Sequence, residues 1–271
     1  AFGGFAIGMT EFVIMGILKD VALSLDISIP LAGNAISMYA LGVVVGAPLI
    51  SAFTSHLPPK KVALVLMGIF TIFNGLTSLS DQFLTLTISR FFSGLPHGAF
   101  FGIGSIIATK VTPPQKHGSA IAFMFSGLTM ANMLGVPLGT YIGHEYGWQK
   151  SFYLVTAWGA LTTVSLFFWV PDIEARGKVK VLDDLKTLKS FNLLLMILIM
   201  SIGTGGFFAW LSYISPLLNN YAGLKIEYIP YVMILVGIGM TAGNIIGGKL
   251  AEALPPNKAM LYILIANFIL L

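Results

Sequence analysis

The chain has 271 residues, 56% hydrophobic and only 10% charged, with a net charge of +4 and a mean hydropathy of +0.88. Soluble domains carry about 25% charged residues, and surface-to-volume scaling leaves a soluble chain of this size no way to bury so much apolar surface. The composition therefore excludes a water-soluble globule. The absence of cysteine excludes disulfides, thiol catalysis and thiolate metal sites.

A membrane-spanning helix needs about 20 mostly apolar residues. Nine runs meet or approach this in chain order: 1–18, 31–53, 62–80, 83–109, 118–143, 150–170, 191–219, 227–253 and 259–271. They predict an all-α, polytopic membrane helix bundle. The first and last runs read as incomplete. The sequence opens inside an apolar stretch at Ala1 without a cleavable signal peptide, so a truncated N-terminus is expected. The longest polar break, 171–190, is the one with soluble character. It predicts a linker between a six-helix N-terminal bundle, 1–170, and the first three helices of a second bundle, 191–271.

Lys and Arg favour the cytoplasmic side of a bilayer. One set of alternating breaks carries Lys60, Lys61, Lys110, Lys116, Arg176, Lys178, Lys180, Lys186, Lys189, Lys249 and Lys258; the other carries only Lys19, Lys150 and Lys225. This asymmetry predicts that the first helix runs outward and that 171–190 is cytoplasmic. The net positive charge thus marks topology, and no nucleic-acid partner is expected.

Gly42-x-x-x-Gly46 followed by Leu57-Pro58-Pro59 returns, at one constant offset, as Gly239-x-x-x-Gly243 followed by Leu254-Pro255-Pro256; Gly8 and Gly205 share that offset. A parallel repeat of six helices is a common plan for transporters. The second copy holds three helices where the first holds six, which predicts about nine of twelve helices in this chain.

Ionisable groups inside hydrocarbon are expensive and are functional candidates by default. Three lie near mid-span: Glu11 in the first helix, and Arg90 and His97 in the fourth. Helix rise puts Glu11 about 12 Å and Arg90 about 10 Å from the same membrane face. Opposite charges at one depth offset each other's desolvation. Glu11 is therefore the candidate proton carrier and Arg90 its tuning group, with a static ion pair as the competing reading. His97, seven residues after Arg90 and on the same face, is a candidate relay or substrate ligand, or a simple hydrogen-bond donor within the bundle.

The remaining candidates are softer. Phe208, Trp210, Ser212 and Tyr213 mix aromatic and polar character in the seventh helix, as an amphipathic organic ligand requires, although Trp and Tyr also anchor helices at membrane interfaces. Asn34 and Asn132 are further polar cavity candidates. Gly94 and Gly98, four apart like Gly42 and Gly46, permit close helix approach. Gly135-Val136-Pro137-Leu138-Gly139 places a helix-weakening proline between glycines, which predicts a close crossing or a hinge.

The run Arg90-Phe91-Phe92-Ser93-Gly94-Leu95-Pro96-His97-Gly98-Ala99-Phe100-Phe101-Gly102 resembles the helix 4 motif of the major facilitator superfamily, and Gly135 to Gly139 resembles its helix 5 antiporter motif. Gly147-Trp148-Gln149-Lys150-Ser151-Phe152 is similar to the Gly-Trp-Arg-x-x-Phe entry to helix 6, with Gln-Lys replacing the Arg-centred pair. Met9-Thr10-Glu11-Phe12 and Tyr39-Ala40-Leu41-Gly42 complete a likeness to the bacterial drug and sugar efflux branch, the AraJ-like drug:proton antiporters. One stretch departs from it. The loop that usually reads Gly-x-x-x-Asp-Arg-x-Gly-Arg-Arg has Ser55 and His56 at its Asp and Arg positions, and keeps only its basic end, Lys60 and Lys61. Those lysines are candidate contacts for anionic lipid or helix ends.

The resemblance implies a major facilitator fold and a monomeric, proton-driven antiporter of the inner membrane. It would export small organic compounds such as drugs or sugars by alternating access, with protons and lipid as its other partners and no cofactor or metal. Uptake or facilitated diffusion without a proton is the alternative. An enzyme would need clustered acid, base or metal ligands, which the spans lack, and a receptor or scaffold would need a larger soluble segment than 171–190.

Overall fold

The computed structural model describes residues 1–174 and 190–270, and these are helical without any strand among them. The predicted linker, with Arg176, Lys178, Lys180, Lys186 and Lys189, lies almost wholly outside the described residues. The helices are α1 (Phe2–Gly16), α2 (Leu18–Ser24), α3 (Ile29–Thr54), α4 (Pro59–Ser78), α5 (Phe83–Gly94), α6 (Pro96–Lys110), α7 (His117–Met130), α8 (Val136–Tyr146), α9 (Trp148–Trp169), α10 (Phe191–Ser212), α11 (Ile214–Asn220), α12 (Ile229–Ala253) and α13 (Pro256–Leu270). A π-helical turn, Ala131–Gly135, joins α7 to α8.

Over its described residues each of the nine apolar runs is essentially helical. Six continuous stretches among the described residues are long and apolar enough to cross a membrane, and α10 with α11 forms a seventh, bent by 53°. The chain is a multi-pass membrane protein. Its helix starts follow local chemistry. Pro59, Pro96 and Pro137 each occupy a first-turn position, where the missing N–H costs nothing. Ser28 caps α3 by accepting from the Leu31 amide at 3.3 Å. The π-helical turn ends two residues before Pro137, whose ring cannot donate to the turn behind it.

One boundary differs from the sequence reading. The first span does not stop at residue 18. It breaks at Ile17 and continues as α2 to Ser24. Lys19 and Asp20 are tolerated there because both meet distant partners: Lys19 hydrogen-bonds Asn219 of α11, and Asp20 lies against His144 of α8.

The core has two parts, and they differ in what they join. One cluster gathers Val13, Ile17, Val21, Trp148 and Phe152 with Leu211, Ile214, Ile229 and Met233, so it binds the first six spans to the seventh and eighth. The other gathers Ile7, Leu66, Phe70, Phe100 and Met124. Among the described residues it and the hydrophobics packed on it belong to 1–173 alone. The two halves are therefore sealed together at one end of the bundle. Among the described residues they share no such core at the opposite end, where Lys60, Lys110 and Lys116 lie.

Glycines set the closest crossings. A Cβ on Gly42 would stand 2.1 Å from the Phe91 carbonyl oxygen, and one on Gly94 would stand 2.2 Å from that of Tyr39. A Cβ on Gly46 would reach the Leu95 carbonyl at 2.1 Å, and one on Gly98 would reach Ala47 Cβ at 2.6 Å. Two small-x-x-x-small pairs thus face each other, backbone against backbone, where α3 crosses α5 and α6. Gly135 and Gly139 instead make room for side chains of α1, those of Phe5, Met9 and Val13. The repeat-related pair, Gly239 and Gly243, has no described atom within 4 Å of either Cβ position.

Candidate functional site

Arg90 lies wholly buried on α5, among four helices. Its Nη1 donates to Thr10 Oγ1 of α1 at 2.9 Å, and its Nε donates to the Ala35 carbonyl of α3 at 3.4 Å. The guanidinium carbon stands 4.3 Å from the ring centroid of Tyr39 and 5.5 Å from that of Phe152. Stacked rings stabilise a desolvated cation by about 2 kcal/mol. Nη2 is buried without a hydrogen-bond partner.

Glu11 follows Thr10 directly, so both groups stand at one depth. On α1 every residue except Phe2, Phe5 and Glu11 is buried, and Glu11 is half-buried. The two charged groups do not form a salt bridge: no approach within 4.0 Å joins them. The carboxylate and the cation thus stand close enough to interact electrostatically, through the Thr10 that Arg90 binds, without pairing.

Tyr39 ties His97 to this group. Its hydroxyl is hydrogen-bonded to His97 Nδ1 at 3.0 Å, on the ring whose face carries Arg90. His97 also packs on Phe101, with centroids 5.5 Å apart. Behind Thr10 stands Asn74 of α4, fully buried, whose Oδ1 accepts from Thr10 Oγ1 at 2.5 Å. Sequence reading places Thr10 and Tyr39 only inside motifs of the resemblance and gives Asn74 no part, because a hydroxyl, phenol or amide within an apolar helix does not by itself reveal its partner. The available signal was stoichiometric: a buried guanidinium carries five donors and must find acceptors at its own depth.

The softer candidates separate. Phe208 stacks on Phe12, next to Glu11, with centroids 6.1 Å apart. The Tyr213 hydroxyl reaches the Cα of Gly33 on α3 closely enough to meet any side chain there. Both therefore join the first six spans. Trp210 stands 42% exposed and packs on Phe207 instead. Ser212 is half-buried and Asn34 exposed. Asn132 is buried in the π-helical turn, and its carbonyl would meet a Cβ on Gly237 of α12 at 2.3 Å. Lys60 meets Asp172 at 3.3 Å, whereas Lys61 is exposed.

At the sealed end, Asp20 Oδ2 lies 2.8 Å from His144 Nδ1, an approach that lacks hydrogen-bond geometry. A cavity of about 520 Å³ opens at the lysine-rich end between Phe100, Ile107, Lys116, Phe123 and Trp169. It is apolar, and Glu11, Arg90 and His97 do not line it. Among the described residues no group of three His, Asp or Glu could hold a metal.

Residues 1–271 match the family model of the Major Facilitator Superfamily. The chain is 42% identical over 256 residues to AraJ of Escherichia coli (strain K12), covering 94% of this chain and 65% of that protein. It is 42% identical over 252 residues to the inner membrane transport protein YdhP of the same organism, covering 93% and 65%. It is 28% identical over 254 residues to a chloramphenicol resistance protein of Streptomyces lividans, covering 92% and 65%. Among solved structures, that of a D-xylose-proton symporter matches with a TM-score of 0.70 at 15% identity, over 93% of this chain and 67% of the symporter. The chain thus spans 65% of the length of AraJ and of YdhP, and the family model, which matches it from end to end, shows that it belongs to the Major Facilitator Superfamily.

Proposed function

We propose that the protein is a secondary active transporter that exports small organic compounds, such as drugs or sugars, across the bacterial inner membrane in exchange for protons. Glu11 carries the proton, Arg90 adjusts its affinity, and His97 relays or orients through Tyr39. Phe208, Ser212 and Tyr213 face the substrate from the second half, with Asn132 at the crossing between halves. Lys60 and Lys61 mark the cytoplasmic side, so the unsealed end opens inward.

The observation that carries this reading is the buried arginine beside an unpaired, half-buried carboxylate. A static ion pair would close within 4 Å to recover the desolvation cost of both charges. A carboxylate left accessible next to a fixed cation keeps its capacity to gain and lose a proton. The two-part core supports alternating access, because a seal that joins the halves at one end alone is the form a rocking transporter takes in one of its states. The names of the Escherichia coli and Streptomyces relatives support the inner membrane and a drug-like substrate.

Energised everted vesicles carrying the full-length protein test the proposal with ethidium, labelled chloramphenicol and labelled arabinose. Accumulation of one of them that disappears when nigericin collapses the pH gradient is expected. Accumulation that survives nigericin would instead support uncoupled transport.

A further inference from the structure

We infer that Thr10 and Asn74 are positioning residues for Arg90: a directional chain of hydrogen bonds through them fixes the guanidinium beside Glu11 while leaving the carboxylate unpaired. The inference rests on the reading of Glu11 as the proton carrier.

The direction of the chain follows from proton counting. Asn74 Nδ2 donates to the Phe70 carbonyl, one turn back on α4, at 2.8 Å. That fixes the amide so that Oδ1 faces α1 as an acceptor. The Thr10 hydroxyl has one proton, and it goes to Asn74 Oδ1. Its lone pairs are then free to accept from Arg90 Nη1. Thr10 is unusual in this. Thr71, Thr156, Thr162 and Thr163 each return their proton to the carbonyl four residues back on their own helix, the ordinary habit of a helical threonine. Thr10 gives that bond up to reach another helix.

The consequence is mechanical. With α1 and α3 holding Arg90 directly and α4 holding it through Thr10, the distance from cation to carboxylate is set by neutral partners and not by the carboxylate's own charge. When Glu11 loses its proton, Arg90 is held back from collapsing onto it, so the carboxylate can be protonated again. The ionisable side chains facing Glu11 are Arg90 and Tyr39, with His97 one step behind Tyr39. The positioning role therefore acts through Arg90.

The test is infrared titration of the full-length protein in nanodiscs, which needs no substrate. The protonated-carboxyl band that is lost in Glu11→Gln is followed against pH. Thr10→Val, isosteric but without the hydroxyl, and Asn74→Leu are expected to move its midpoint by about one pH unit. That is the Coulomb change for a cation shifting about 3 Å relative to a carboxylate at an effective dielectric of about 20. Thr10→Ser, which keeps the hydroxyl, is expected to leave the midpoint in place. If Asn74→Leu fails to give monodisperse protein, the Thr10→Val and Thr10→Ser pair decides alone. A Glu11 band that titrates identically in wild type and Thr10→Val overturns the positioning role and leaves the proton-carrier reading standing. No carboxyl band lost in Glu11→Gln overturns that reading, and this inference with it.

Discussion

Replacing Gly94 with alanine tests whether the α3–α5 crossing holds the arginine site in place. The added methyl would stand 2.2 Å from the Tyr39 carbonyl oxygen, where carbon and oxygen ordinarily stay about 3.3 Å or more apart. The obstacle is backbone, so no rotamer change relieves it, and the helices must part by about 1 Å. Overpacking of this kind costs about 1–3 kcal/mol. At 2 kcal/mol the melting midpoint falls by roughly 4–8 °C for a chain of this size. Tyr39 and Ala35 move with α3, so the Arg90–Ala35 bond, already 3.4 Å long, is the first to break. The control is Gly68→Ala on α4, whose Cβ position has nothing within 4 Å and where alanine favours the helix by roughly 0.5–1 kcal/mol. The assay is tryptophan-fluorescence melting in detergent. Equal midpoints for Gly94→Ala and Gly68→Ala would refute the reasoning.

Three further outcomes follow from the same geometry. Gly237→Ala puts a methyl 2.3 Å from the Asn132 carbonyl, so it should disfavour the seal between halves; spin-label distances between α8 and α12 should lengthen at that end. Asn219→Leu removes the Lys19 partner and should weaken the same seal by about 1 kcal/mol, roughly a fivefold change in the sealed-to-open ratio by the same distances. Tyr39→Phe deletes the bond to His97 but keeps the ring beneath Arg90. It should alter the His97 imidazole resonances in NMR while changing the stability by only about 1 kcal/mol.

The fold was largely legible in the sequence because the bilayer imposes a length on every span. The apolar runs, the proline-started helices and the facing Gly42–Gly46 and Gly94–Gly98 pairs are all local signals. What the sequence hid was long-range. Nothing near Lys19 or Asp20 announces Asn219 or His144, so the sequence pattern ends the first span several residues early. Glu11 and Arg90 could be set at one depth by counting helix rise, but whether they touch depends on Thr10, which accepts from the guanidinium, and on Asn74 behind it, which takes the Thr10 proton. The seventh-helix candidates were grouped by composition. The bend between α10 and α11 then turns Tyr213 toward α3, while Trp210 stays exposed on α10. A heptad count through an unbroken helix cannot anticipate such a bend.

The account depends most on Glu11 coupling proton movement to substrate movement, and Glu11→Gln in proteoliposomes separates those two events. The full-length variant should still exchange labelled for unlabelled substrate, while an imposed pH gradient of one unit, worth about 1.4 kcal/mol per proton, should no longer drive accumulation. Accumulation driven equally well in wild type and Glu11→Gln would contradict it.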